Sequence, residues 1–140
     1  MASWFLPPGA VIVSEDFGKN APPVVYRSKG YDVFNKNLKF AILVNGGSAS
    51  ASEILAGALQ EHGKAKLVGT QTFGKGSVQE LVDITSETSL KVTVARWLTP
   101  KGTSISFKGV TPDLVVPMTA EDFTKGKDPQ MDAATKLLTK

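Results

Sequence analysis

Apolar positions along the chain follow two rhythms, and the rhythms take turns. Short continuous or alternating apolar runs at residues 10–13, 24–26, 40–44, 66–69, 77–82, 90–97, 104–107 and 114–116 predict strands. The run 40–44, Phe-Ala-Ile-Leu-Val, is unbroken, as in a strand covered on both faces. The run 90–97 alternates most cleanly, and residues 85–89 join it to 77–82 as a hairpin connection. Residues 50–61 change to a helical period, with Ile54, Leu55, Ala58 and Leu59 on one face and Gly63 at the C-terminal stop. Pro7-Pro8-Gly9 ends a short element at residues 3–6, and Thr99-Pro100-Lys101-Gly102 reads as a turn. Residues 17–23 form a turn-rich link, and 29–37 are polar and irregular. The tail predicts two helical pieces broken near Gly126 and Pro129, the second presenting Met131, Ala134, Leu137 and Leu138.

A strand–helix–strand unit in the middle of a mixed chain predicts an α/β domain, with α+β as the variant. The length of 140 residues fits one domain over residues 1–140. A net charge of +3, spread without a basic block, does not point to nucleic acid. No run reaches the roughly 18 apolar residues of a membrane-spanning helix. No basic region or signal core precedes Trp4-Phe5-Leu6, so the start reads as an internal piece of a longer protein.

Cysteine is absent and histidine occurs once, at His62. Thiol catalysis, cysteine zinc sites and histidine-rich metal sites are thereby excluded. The stretch Asn45-Gly46-Gly47-Ser48-Ala49-Ser50-Ala51-Ser52-Glu53 joins a predicted strand to the predicted helix. Locally, Ser50 to Glu53 is a capping box. It is also a place where a serine nucleophile could stand, with the Ala51 N–H turned to a developing oxyanion. His62 lies about 18 Å away along the same helix and cannot serve Ser50 as base. No Gly-x-Ser-x-Gly elbow occurs. A lysine base requires a desolvated amine. Lys75, in Phe73-Gly74-Lys75-Gly76-Ser77-Val78-Gln79, is the candidate. Phe73 and Val78 suggest a segment entering the core, and on a strand Lys75, Ser77 and Gln79 share a face. Gly69 to Lys75 also matches most of a phosphate-binding P-loop. Gly76 replaces its serine or threonine, and a strand is predicted where a P-loop opens a helix.

Together, Gly47-Ser48-Ala49-Ser50-Ala51-Ser52-Glu53-Ile54-Leu55 and Thr72-Phe73-Gly74-Lys75-Gly76-Ser77-Val78-Gln79 resemble the carboxyl-terminal processing (tail-specific) protease family. Leu98-Thr99-Pro100-Lys101-Gly102, Gly109-Val110-Thr111-Pro112-Asp113 and Asp128-Pro129-Gln130-Met131-Asp132 are similar to it as well. The resemblance implies Ser50 as nucleophile, Lys75 as general base, Gln79 as the third member and Ala51 N–H as an oxyanion donor. It implies a mixed sheet with flanking helices, of the broad fold shared by Clp protease and crotonase subunits. It implies no metal or organic cofactor. The implied substrate is a protein with a C-terminal tail, cut outside the cytoplasm, in the bacterial envelope or thylakoid lumen.

The family's PDZ domain and its upstream glycine-rich segment, which carries the second oxyanion donor, have no counterpart in these residues. The PDZ domain is thus a partner implied for the full-length protein. Loss of one oxyanion donor costs about 100- to 1,000-fold in turnover. The resemblance therefore implies a catalytic core of weak or no activity, with a sheet edge open to self-association. The alternatives are a non-catalytic binding or assembly module of the same fold and, more distantly, a P-loop-like nucleotide binder.

Overall fold

A computed structural model describes residues 1–31, 33, 34 and 37–139. The strands divide between two sheets. Strands β1 (Val11–Asp16), β2 (Val24–Arg27), β5 (Ser77–Asp83) and β6 (Ser89–Leu98) form an antiparallel sheet in the order β2-β1-β6-β5. Strands β3 (Ala41–Val44), β4 (Lys66–Gly69) and β7 (Leu114–Val115) form a parallel sheet in the order β3-β4-β7. Parallel strands need a long crossover, and between β3 and β4 helix α1 (Ala51–Glu61) supplies it. Helices α2 (Ala120–Thr124) and α3 (Pro129–Leu138) follow β7. The architecture is α/β.

Helix α1 is the core's organiser. Its buried stripe is Glu53, Ala56, Gly57, Ala58 and Leu59, while Ile54 and Leu55 are half-buried. The inner face is therefore turned slightly from the expected one, towards the small residues that let β3 and β4 approach. One side packs with Ala2, Leu6 and Ala65, joined by Phe5 and Phe40, whose rings stack at 5.0 Å. The other packs Ala56 with Val44, Leu67 and Val110. In β3 only Val44 is buried and Leu43 is exposed, so the expected double coverage holds at one end of the strand alone. The hairpin of β5 and the first half of β6 projects with most positions exposed.

Asp113 fastens β7 to β4. Its carboxylate accepts from Leu67 N at 2.9 Å, Lys66 Nζ at 3.0 Å and Gln60 Nε2 at 3.0 Å. Burial pushes this carboxyl up, but the three donors together outweigh it and hold it below the ordinary carboxylate value.

Two further expectations need correction. Residues 104–107 do not make a strand: Ser104 forms an isolated bridge with Leu98, and the chain then turns. Ile105 N still donates to Trp97 O of β6 at 3.2 Å, but beyond it the backbone donors go elsewhere. Phe107 N donates to Gly74 O at 3.0 Å, and Gly109 N closes the turn onto Ile105 O at 2.9 Å. In α3 the inner positions are Gln130 and Ala134, and Met131 is exposed. Gln130 is drawn inward because its amide donates to Val116 O at 2.9 Å.

Candidate active site

The turn after β3 is built from its own polar side chains. Asn45 Oδ1 accepts from Gly47 N at 2.8 Å, Ser48 Oγ accepts from Asn45 N at 3.2 Å, and Ser52 Oγ donates to Ala49 O at 2.6 Å. Ser48 and Ser52 thus close the turn and do not cap the helix. The chain enters α1 through Ser50 at φ 54° and ψ −116°. A non-glycine residue held there stores roughly 1–3 kcal/mol of strain, which is common at functional turns between strand and helix.

The capping-box arrangement is present, but only one of its arms is a full hydrogen bond. Ser50 N donates to Glu53 Oε2 at 2.9 Å, while the Ser50 hydroxyl makes no cap hydrogen bond. Ser50 is half-buried. Ala51 is the first helical residue, so its N–H has no intrahelical acceptor and lies at the positive end of the helix. Among the described residues, a hydroxyl without a full cap hydrogen bond and an N–H without an intrahelical acceptor therefore stand side by side.

Glu53 does more than the capping box implies. It is fully buried, and four donors converge on it. Oε1 accepts from Thr72 Oγ1 at 2.5 Å and Gly74 N at 2.7 Å. Oε2 accepts from Ser50 N and from Lys75 N, each at 2.9 Å. A buried carboxylate is tolerable only when its oxygens are satisfied in this way. The nitrogens of Ser50 and Lys75 are consequently no farther apart than twice 2.9 Å. Thr72, itself buried, accepts from Val110 N at 2.6 Å and so extends the network to the turn before β7. The sequence did offer a signal for this: a carboxylate on the stripe that includes Ala56 and Gly57 is a charge on an apolar face.

Glycines place the Lys75 backbone. A Cβ on Gly76 would stand 2.4 Å from Ser106 N, and one on Gly74, at φ +88°, would stand 2.9 Å from Phe107 C. Only glycine lets residues 72–76 lie this close to residues 105–109. Phe73 N donates to Ser48 O at 2.9 Å, so the two loops run side by side.

The side chains of the sequence-derived candidates are arranged less tightly than their backbones. Lys75 and Gln79 are exposed. Among the described residues no hydrogen bond or ion pair engages the Lys75 amine, and none joins it to the Ser50 hydroxyl or to Gln79. Phe73 is 64% exposed and does not lead the segment into the core. The expected shared face of Lys75, Ser77 and Gln79 is also interrupted. Strand β5 begins at Ser77, and its register with β6 shifts between Val78 and Gln79, which breaks the simple alternation. His62 stands at the far end of α1, where its Nε2 lies 2.7 Å from Val11 O. The Gly69–Lys75 segment leads into strand β5, so no helix N-terminus is present to hold a phosphate as in a P-loop.

Residues 1–116 match the model of peptidase family S41. The chain belongs to that family. A carboxy-terminal-processing protease of Bartonella bacilliformis is 53% identical over 87 residues, which are 62% of this chain and 20% of that protein. A protein of Staphylococcus epidermidis named "Probable CtpA-like serine protease" is 39% identical over 116 residues, covering 83% of this chain and 23% of its own length. Among solved structures, the photosystem II D1 C-terminal processing protease superposes with a TM-score of 0.75 at 35% identity, over 83% of this chain and 29% of that one. The tricorn protease, at 20% identity and a TM-score of 0.56, shares the fold over 89% of this chain and 12% of its own. The chain spans about a fifth of the length of the curated relatives it matches. An S41 peptidase core accounts for the α/β class read from the sequence. The expected kinship with the Clp protease fold holds through these neighbours.

Proposed function

We propose that this S41 chain carries the Ser-Lys dyad of a serine endopeptidase that cuts proteins near their C-terminal tails. Ser50 Oγ attacks the scissile carbonyl carbon while Lys75 Nζ takes the hydroxyl proton. The tetrahedral intermediate's oxygen accepts from Ala51 N–H. Lys75 then returns the proton to the departing amine, leaving an acyl-serine that water hydrolyses. Gln79 orients the Lys75 amine. The observation that carries this reading is the Glu53 carboxylate, which ties the Ser50 and Lys75 backbones to one oxygen beside an uncapped hydroxyl. Carboxy-terminal processing comes from the names of the relatives, and the site of action is taken to be outside the cytoplasm. Among the described residues no helix is long and apolar enough to cross a membrane.

Ala51 N–H is the one oxyanion donor assigned in these residues. Turnover by the 140-residue chain alone is therefore expected to be about 100- to 1,000-fold below that of a two-donor site. Lys75 is exposed and its amine has no partner among the described residues, which favours a second reading, a non-catalytic module of the same fold. The two are separated by a serine-directed fluorophosphonate, followed by peptide mapping, and by cleavage of a substrate with a disordered C-terminal tail. Labelling at Ser50, abolished in Ser50→Ala and strongly slowed in Lys75→Ala, supports the dyad. Equal labelling and cleavage in Ser50→Ala would remove Ser50 from the mechanism.

A further inference from the structure

A second feature of the parallel sheet has no part in the dyad. A cleft of about 340 Å³ opens outside the carboxyl ends of its strands, lined by Asn45, Thr70, Met118, Thr119, Phe123 and Gln130, with Ala120. Each strand hands its following segment to this cleft. Asn45 follows β3, Thr70 follows β4, and residues 118–120 lie just beyond β7. The crevice outside the carboxyl ends of parallel strands is where α/β sheets bind ligands, and the volume is that of a small ligand site.

The cleft also belongs to the same pair of loops as the dyad. Thr70 N donates to Val44 O at 2.9 Å and Phe73 N to Ser48 O at 2.9 Å, so the loops from Asn45 to Ser50 and from Thr70 to Lys75 run together. Cleft and dyad stand at opposite ends of two five-residue paths. Five residues span at most about 18 Å, and an extended substrate covers that distance with as few.

The lining defines the guest. None of the lining residues carries a charge. The polar groups are mostly engaged by their own chain: Asn45 Oδ1 with Gly47 N, Thr119 Oγ1 with Asp122, and Gln130 Nε2 with Val116 O. What remains open is apolar, Met118 at 40% and Phe123 at 77% exposure. The cleft joins the family-matched core, through Asn45 and Thr70, to a wall beyond residue 116, where the family match ends.

We propose that this cleft is a specificity site for the protease substrate, receiving an apolar side chain no more than about five residues from the bond that is cut. It rests on the endopeptidase reading for its substrate class, peptide, but its residues are separate from the dyad. Met118 and Phe123 select the side chain by burying it, and the chain's path along the Asn45–Ser50 loop carries the scissile carbonyl to Ser50.

Photo-crosslinking tests it. Short disordered peptides of glycine, serine and asparagine carry one diazirine analogue of leucine, moved through successive positions, and are mixed with the Ser50→Ala chain. Crosslinks mapped by mass spectrometry are expected to gather on Met118 and Phe123 for one or two positions of the analogue. Phe123→Glu is expected to lower them by about tenfold, the worth of one buried leucine-sized side chain. Phe123→Ala, which adds no charge, is expected to lower them less. Excess leucine peptide is expected to compete, and the same peptide with aspartate to fail. Scattered crosslinks, none at all, or equal competition by the aspartate peptide would overturn the assignment. So would a dimer in sedimentation that Phe123→Glu dissolves without peptide crosslinks at the cleft, which would give the surface to a second copy. Cleavage by the unmodified chain against Ser50→Ala runs alongside. If Ser50 is required but crosslinks miss the cleft, the cleft assignment alone fails. If crosslinks gather there but Ser50 is dispensable, the dyad reading alone fails.

Discussion

The backbone N–H groups of Ser50 and Lys75, 25 positions apart in the chain, donate to the same oxygen, Glu53 Oε2, each at 2.9 Å. Glu53→Gln keeps the shape but presents an NH2 group to two of the four donors. Leaving those donors unsatisfied in a buried place is expected to cost about 3 kcal/mol. Loosening the two loops is expected to slow fluorophosphonate labelling of Ser50 by about 100-fold. Denaturant melts and labelling rates check the two effects. Full stability in the glutamine variant would show that the carboxylate is not the tie.

Strain at Ser50 makes a prediction with opposite signs for stability and activity. Ser50→Gly relieves the φ 54° conformation and is expected to raise stability by about 1 kcal/mol while removing the proposed nucleophile. Ser50→Ala keeps the strain and is expected to leave stability nearly unchanged. Chemical denaturation of the pair reads the difference directly, without reference to cleavage.

Thr72 links Glu53 to the turn before β7 through one hydroxyl. Thr72→Val preserves the shape but takes a donor from Glu53 Oε1 and an acceptor from Val110 N. The cost is expected to be about 2 kcal/mol, and Thr72→Ser is expected to restore most of it. Amide exchange at Val110 should rise in the valine variant and stay near wild type in the serine variant.

Asp113 predicts a pH dependence. Its carboxyl is held below the ordinary value in the folded state, so the unfolded chain binds its proton at higher pH. The stabilisation is therefore fully present above about pH 4 and is lost as pH falls through the lowered folded value. Asp113→Asn is expected to cost about 1 kcal/mol at neutral pH, a figure already reduced for partial exposure of the Lys66 pair. The gap between variant and wild type should close in acid. A gap that persists at low pH would assign the effect to packing instead.

The sequence alone determined the elements and the chemistry on offer. Strands β3 to β6, the hairpin, helix α1 and the broken tail were legible because each rests on local periodicity and on glycine or proline breaks. Ser50, Lys75 and Gln79 were legible as residue types at a spacing that resembles a family. Tertiary structure alone decided that the Ser50 and Lys75 backbones meet at Glu53, with no hydrogen bond between the Lys75 amine and Ser50 or Gln79 among the described residues. It turned residues 104–107 from a strand into a platform for the Lys75 loop, because Phe107 N found Gly74 O rather than a continued ladder with β6. It turned Glu53 from half of a capping box into the buried anchor of both loops, since Thr72, Gly74 and Lys75 reach it across 19 to 22 positions. It also gathered the ends of three strands around one cleft. Local pattern records what a segment can do with its neighbours; which distant donor satisfies a buried carboxylate is settled only when the chain closes on itself.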